Sequence, residues 1–324
     1  MDINEITHEL GFHNSEVLTV IKGGNSNVVK LKLNDGSLFA IKIYTGKANR
    51  ITRMLNRELS AIEFLKLKNF LNIPEIIHYR KDLGLIVFKW IDGIHPTPDS
   101  NCINSIISMC LALKNIGTSG AVFDNAVDSA FSTNEILSQI DNRIIKILGE
   151  YPYQCSELFV DIIKNKINQY KKKYYNNQIF SDHIISVSDL GTHNMLLVND
   201  FFYFIDFEFF GKDSINKMVG DFLLHPKNYF NNLEIQKFIK SISSNSIWKI
   251  EELQPTLPLL ALNWSLIILG RTLHEYKLNH FCEMGIDCLN GSNSKKYIEY
   301  FDFLIMGYEQ SLPLSFNDFV GKVR

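Results

Sequence analysis

The chain has 324 residues, 46% hydrophobic and 12% aromatic, enough for a sizeable core and for two lobes. Lys plus Arg number 33 against 35 for Asp plus Glu, a formal net charge of -2 with an isoelectric point near 6.5. That balance excludes a nucleic-acid partner held mainly by charge, and Lys171-Lys172-Lys173 reads as a solvated helix end.

The start, Met1-Asp2-Ile3-Asn4-Glu5, is acidic and polar, unlike a secretory signal. The first patterned segment begins with Gly23-Gly24-Asn25-Ser26, small turn-forming residues, and runs into strict alternation. Val29, Leu31 and Leu33 face one side and Lys30, Lys32 and Asn34 the other, the period of a half-buried strand. Asn34-Asp35-Gly36-Ser37 signals a hairpin, and the return strand over 38–44 carries one cation, Lys42, among apolar neighbours. A glycine-containing turn can lay backbone N–H groups over phosphates. On residues alone, Gly23-Gly24 favours a surface hairpin, and Lys42 fits a lysine snorkelling from a sheet face.

Residues 51–67 read as an amphipathic helix with Leu55, Leu59, Ile62 and Leu65 on its apolar face and Glu58 within it. A sheet lysine meeting a helix glutamate is the ion pair that positions the lysine on nucleotide phosphates. A strand pair follows over 73–79 and 85–91, turning between Arg80 and Gly84. Asp92-Gly93-Ile94-His95-Pro96-Thr97-Pro98 is then the best break in the chain. The expected lobes are therefore 1–91, a small five-stranded sheet with one helix, and 92–324, mainly helical. Helices are expected over 103–113, 133–148, 157–175, 233–242, 258–276 and 295–310, and Asp221 is expected to begin a further one.

Inside the helical texture lies an island of strand. Met195 to Val198 and Phe201 to Ile205 are apolar runs with Asn199-Asp200 turning between them. The turn brings Asn194 and Asp206 side by side, as two ligands of one ion require. Asp189, Asn194 and Asp206 together form the minimal equipment for moving a phosphoryl group with Mg²⁺. One carboxylate accepts or orients the attacking hydroxyl, while the amide and the second carboxylate hold the metal. Asp-x-x-x-x-Asn beside a strand is also ordinary turn chemistry, so the order of the surrounding segments carries weight.

That order is glycine loop, strand lysine, helix glutamate, apolar hinge strand, Asp-x-x-x-x-Asn and Ile-Asp-Phe. It resembles the aminoglycoside phosphotransferase and choline kinase-like family, small-molecule members of the protein-kinase-like fold, over about residues 20 to 225. Gly24 to Val28 is similar to the family's nucleotide loop, Phe39 to Lys42 to its lysine strand and Arg57-Glu58 to its helix pair. Val87 to Gly93 resembles its hinge, Ser188 to Asn194 its catalytic segment and Ile205 to Glu208 its metal segment. Gly211 to Asp213 and Gly220 to Phe222 match two further acidic positions.

The resemblance implies an α+β, two-lobed fold and transfer of the γ-phosphoryl group of ATP, or GTP, to a hydroxyl of a small molecule such as a sugar, amino alcohol or aminoglycoside. It implies Asp189 as catalytic base, and Asn194 and Asp206 on Mg²⁺. Lys42, held by Glu58, then contacts the phosphates. Gly23, Gly24, Asn25 and Ser26 cover them, and the hinge of Lys89, Trp90 and Ile91 holds the base. Two departures stand out: Val187 and Gly191 occupy positions where the family often has a loop-bracing His, and Glu208 replaces a commoner Gly. A nucleotide-binding regulatory protein without turnover would keep Lys42 and Asp206 without needing Asp189.

An acceptor carrying a cation calls for acidic or aromatic groups, of which Glu251, Glu252, Trp264, Glu275, Tyr276 and Glu283 are available. No concentrated acidic stretch marks the helical lobe, which favours a sugar or glycan precursor. Five cysteines, Cys102, Cys110, Cys155, Cys282 and Cys288, without a Cys-x-x-Cys pair suit free thiols in a reducing compartment. The most apolar window, 257–270, is interrupted by Pro258 and Asn263 and reads as a core helix rather than a membrane span. A soluble cytoplasmic protein is expected.

Overall fold

The computed structural model describes residues 3–117, 123–152, 154–174, 177–279 and 293–306. In chain order the first elements are α1 (Ile3–Glu9), β1 (Glu16–Lys22), β2 (Ser26–Lys32), β3 (Leu38–Tyr44), α2 (Ala48–Leu67), β4 (Ile76–Arg80) and β5 (Leu85–Lys89). Then come α3 (Ser100–Ile116), α4 (Thr133–Glu150), α5 (Gln154–Lys173), β6 (His183–Ser186), β7 (Met195–Val198), β8 (Phe201–Phe204) and β9 (Gly211–Ser214). The last are α6 (Ile215–Leu224), α7 (Asn232–Ser244), α8 (Leu253–Asn279) and α9 (Asn293–Met306). Internal contacts divide the chain into two compact units, Met1–Pro96 with Thr192–Phe210, and Thr97–Gly191 with Gly211–Arg324. The strand hairpin expected within the helical lobe is thus grouped with the first ninety-six residues.

In the first unit, β1 to β5 form one antiparallel sheet in the order β1-β2-β3-β5-β4. The alternation read over 29–33 is the core face: Val29, Leu31, Ile41, Leu85 and Val87 are buried with Ile6 of α1, and Leu33 packs at their edge. The expected turn is present, with Leu33 N donating to Ser37 O at 2.9 Å and Gly36 at φ +85°. Edge strand β1 is exposed along its whole length and bulged between Val17 and Thr19. A strand with no buried face leaves no alternation to read, so it is not announced by the sequence. Helix α2 begins at Ala48 rather than Ile51, burying Met54, Leu55, Glu58, Ala61, Ile62 and Leu65 at helical spacing. Strand β4 begins at Ile76 rather than Ile73, because Pro74 has no N–H to pair.

In the second unit the expected helices are present, most of them extended to their caps. Asp99 accepts from Asn101 N and Cys102 N, Ser132 from Glu135 N, and Asn231 with Glu234 forms a capping box. Positions 175 and 307–310 of two expected helices lie outside the described residues. Asp221 does not begin a helix. It sits in the last turns of α6, whose N-cap is Ser214, accepting from Lys217 N. The Ser214 hydroxyl is the earlier and better-placed cap, so the helix starts there. Strands β6 and β9 pair antiparallel, Ile184 opposite Asp213; at four residues each they are too short for a period.

Helix α8 is long and apolar enough to cross a membrane by composition, but 72% of its apolar window is buried within the fold. Leu259, Leu260, Ala261 and Leu262 are wholly covered, which makes it the core helix expected there. Cys102 and Cys110 are buried, reduced thiols, and burial pushes both up to about 12, with Asp99 adding at Cys102. The side chain of Cys155, and Cys282 and Cys288, lie outside the described residues.

Candidate active site

Strand period explains the first constellation. In β3, Ile41 turns into the sheet's core, so Lys42 and Tyr44, two apart, share the opposite face. Glu58 is buried on α2. Lys42 Nζ lies 2.6 Å from Glu58 Oε2, 2.6 Å from Asp206 Oδ1 and 3.1 Å from Glu208 Oε2. The Tyr44 hydroxyl also donates to Glu58 Oε2, and Phe207 N donates to Glu58 Oε1 at 3.4 Å. Burial lowers the affinity of Lys42 for its proton, but Glu58, Asp206 and Glu208 outweigh it and hold the ammonium above its ordinary value. Burial raises Tyr44, with Glu58 adding to it.

The hairpin delivers the acidic groups. Asn199 and Asp200 have φ of +46° and +68°, the positive pair that a two-residue turn between twisted strands needs. Ile205 N then donates to Asn194 O at 2.9 Å, setting Asn194 beside the segment that carries Asp206. Asp206 itself has φ +67°, a left-handed conformation that an Asp tolerates better than a branched residue. Glu58, Asp206 and Glu208 offer carboxylate oxygens all within 4.8 Å of one another. Such a set of hard oxygen donors suits Mg²⁺, so these residues fit the metal that the sequence implies.

Glu208 is the least expected member. It is 2% exposed, receives Asn25 Nδ2 at 2.7 Å and forms its ion pair with Lys42 through the other oxygen. Burial raises its carboxyl to about 7 against the opposing pull of Lys42. Asn25 is in turn held by Arg50, at 2.6 Å. The glycine loop is therefore tied to the segment carrying Asp206 and Glu208 through side chains. Gly23 N donates to Ser26 O at 2.9 Å within the loop, and a Cβ on Gly23 would sit 2.6 Å from that oxygen, whereas Gly24 faces open space.

At the hinge, Lys89 N donates to Glu75 O and Trp90 N to Leu38 O, at 2.9 and 3.0 Å. Lys30 Nζ lies 4.3 Å over the Trp90 ring, and the indole donates to Asp92 at 3.3 Å. Beyond Ile91 the chain packs on the hairpin: Ile94 and Leu197 exchange backbone bonds, at 3.2 and 2.7 Å.

In the second unit, β6 leads into the Asp189 segment. Ser188 has φ +66°, and Asp189 N donates to Val187 O at 2.9 Å, a tight three-residue turn. Ser188 Oγ donates to Val127 O at 3.3 Å. His225 Nε2 lies 3.3 Å from Asp189 Oδ1, and Asn228 Nδ2 donates to Leu190 O at 3.0 Å. Nearby, buried Lys217 pairs with Asp221, and Asp213 accepts Ala130 N at 3.1 Å and Ser214 N at 2.8 Å. Burial raises Asp213 to about 7, with Lys217 opposing and Asp221 assisting. The Trp264 indole donates to Asp221 Oδ1 at 3.0 Å.

The candidate acceptor groups are dispersed. Trp264 meets His225 edge-on at 5.2 Å between ring centres, whereas Glu252 ties Ser181 and Asn216 to the turn before α8. Glu251 and Glu275 are exposed; the Tyr276 side chain and Glu283 lie outside the described residues.

No family model matches the chain, and no curated protein matches it by sequence. Solved structures do match. The fold is protein-kinase-like. A choline kinase, LicA from Streptococcus pneumoniae, is similar at 17% identity and a TM-score of 0.61, covering 94% of this chain and 99% of that one. The spectinomycin phosphotransferase APH(9)-Ia, bound to ADP and spectinomycin, is similar at 12% identity and a TM-score of 0.61, covering 99% and 98%. The phosphotransferase APH(2")-IIa, in a ternary complex with streptomycin and ATP, is similar at 15% identity and a TM-score of 0.58, covering 82% and 90%. At these identities the likeness is one of fold, with the small antiparallel sheet expected from the first ninety residues.

Three participants escaped the sequence reading. Tyr44 shares a strand face with Lys42, a signal that was present in the i, i+2 spacing. His225 and Asn228 bracket a proline turn and reach the Asp189 segment only through tertiary folding. No local spacing could have revealed them.

Proposed function

We propose that the chain is a small-molecule kinase, moving the γ-phosphoryl group of ATP, or GTP, to a hydroxyl of a sugar, amino alcohol or aminoglycoside. The observation that carries this reading is Lys42, buried and paired at 2.6 Å with both Glu58 and Asp206. A lysine so held is the group that meets nucleotide phosphates in kinases, while the acidic partner belongs to the metal. The solved structures of similar fold, named as phosphotransferases or kinases and several in complex with adenine nucleotides, support the reaction type.

Residues 1–91 would handle the nucleotide and 92–324 the acceptor, with the hairpin from Asn194 to Asp206 contributing the metal ligands. Asn194 and Asp206 would hold Mg²⁺, with Glu208 beside them. Bound there, Mg²⁺ supplies charge neutralisation on the transferring phosphates. Lys42 binds phosphate oxygens, the Gly23 to Ser26 loop covers them and the Lys89 to Ile91 backbone holds the base. Asp189 accepts or orients the acceptor hydroxyl, so that its oxygen is aligned for attack. The buried, reduced thiols of Cys102 and Cys110 suit a reducing cytoplasm, where ATP is also found.

The test is turnover. Asp189→Asn should fold and bind nucleotide yet lose about 10²- to 10⁴-fold in rate, the usual contribution of a positioned base. ADP formation over a panel of sugars, amino alcohols and aminoglycosides measures it. Unchanged turnover in the variant would remove Asp189 from the mechanism, and a wild type that binds nucleotide without turnover would leave a regulatory protein.

A further inference from the structure

We propose that His225 is a positioning residue for Asp189, supplied by a proline turn outside the catalytic segment. The inference rests on the reading of Asp189 as the group that orients the acceptor hydroxyl. Within the segment itself, Val187 and Gly191, two positions to either side of Asp189, carry no side-chain donor. A donor comes from residues 225–228, His-Pro-Lys-Asn, directly after α6.

That turn is stiff for an identifiable reason. Asn228 N donates to His225 O at 3.0 Å, closing four residues with Pro226 at the second position, where its fixed φ is pre-set for a turn. Both end residues then reach the Asp189 segment. Asn228 Nδ2 donates to Leu190 O and to Phe222 O, each at 3.0 Å, tying that segment to α6. His225 Nε2 lies 3.3 Å from Asp189 Oδ1.

The imidazole is fixed as well. Lys227 N donates to His225 Nδ1 at 3.1 Å, so Nδ1 is the acceptor and the proton of the neutral ring sits on Nε2, the atom facing Asp189. The ring is buried, 6% exposed, and Trp264 stands edge-on against it at 5.2 Å with planes at 89°. Trp264 is itself held by its indole bond to Asp221, at 3.0 Å. A donor on one carboxylate oxygen fixes the plane of the carboxylate. An orienting group gains most from that constraint, since a misplacement of about 1 Å can cost about 10²-fold in rate.

The experiment pairs two variants with one spectroscopic signature in the full chain. His225→Leu removes the donor, whereas His225→Gln keeps an N–H at the reach of Nε2. The account expects kcat to fall about 10²-fold in His225→Leu with KM for Mg·ATP unchanged, and to be largely restored in His225→Gln. ¹⁵N-histidine spectra of the wild type should show His225 protonated at Nε2, with a signal that moves in Asp189→Asn. Normal kcat in His225→Leu beside a defective Asp189→Asn overturns this proposal and leaves the kinase reading standing. Equal losses in His225→Leu and His225→Gln, or a proton on Nδ1, also overturn it. Should His225→Leu fail to fold, the His225→Gln kinetics and the spectra decide. Absent ATP turnover in wild type, or normal turnover in Asp189→Asn, overturns the kinase reading and this role together.

Discussion

Two buried lysines, one in each compact unit, look alike and are arranged differently. Lys42 and Lys217 are 5% and 4% exposed, and in both nearby carboxylates outweigh the burial that would otherwise discharge them. Around Lys217, the acidic partners are satisfied by the fold itself: Asp213 takes two backbone N–H groups and Asp221 the Trp264 indole. Around Lys42, three carboxylates crowd one ammonium, with oxygens within 4.8 Å of each other. Asp128, the third carboxylate acting on Lys217, has Arg143 as its own partner, whereas the three around Lys42 crowd one ammonium, an excess of negative charge that a divalent cation can match. Buried charge alone therefore does not mark a site; carboxylates in excess of their cations do.

The sharpest way to break the comparison is to remove each cation. Lys217→Met leaves Asp213 and Asp221 buried without a counter-charge and should cost about 3–5 kcal/mol in urea or thermal unfolding, with no recovery on adding Mg²⁺. Lys42→Met should also destabilise, but millimolar Mg²⁺ should restore part of the loss. Equal responses of the two variants to Mg²⁺ would mean the clusters are of one kind.

A smaller effect is expected where α6, which carries Lys217, packs on α8. A Cβ on Gly220 would lie 2.3 Å from Leu260 Cδ1, so Gly220→Ala should cost about 1–3 kcal/mol by overpacking. Stability equal to wild type would show that α8 can give way.

The smallest effect is in pH. Asp213 rises from 3.8 to about 7, so the folded chain holds that proton more tightly than the unfolded chain. Its contribution is present at low pH and lost as pH rises through that window. Asp213→Asn keeps an oxygen for the two N–H groups but not the charge. It should flatten the fall in Tm between about pH 4 and pH 7; an unchanged slope would place the titration elsewhere.

How much was legible follows the same physics. The Val29-Leu31 alternation, the Asn199-Asp200 turn and the apolar stripes of α3, α4, α5 and α7 were readable because one face is buried and the period survives. Exposed β1 and four-residue β6 and β9 have no such period. Asp221 was misplaced at a helix start because a better cap, Ser214, lies seven residues earlier. At the site, the pairing of Lys42 with Glu58 was expected from a sheet lysine followed by a helix glutamate, whereas the contact of Lys42 with Asp206 was not. The grip of Asn25 on Glu208 and the turn from His225 to Asn228 depend on contacts between segments remote in sequence, which spacing does not encode.

The central claim is that the cluster around Lys42 binds nucleotide with a metal. Thermal stability of wild type and Asp206→Ala, each with ATP or GTP and with or without Mg²⁺, tests it most directly. A nucleotide that binds only the folded state raises Tm by mass action. The account expects a Mg²⁺-dependent rise in wild type with at least one nucleotide and none in Asp206→Ala. Equal shifts in both proteins, or no shift in wild type with either nucleotide, would contradict it.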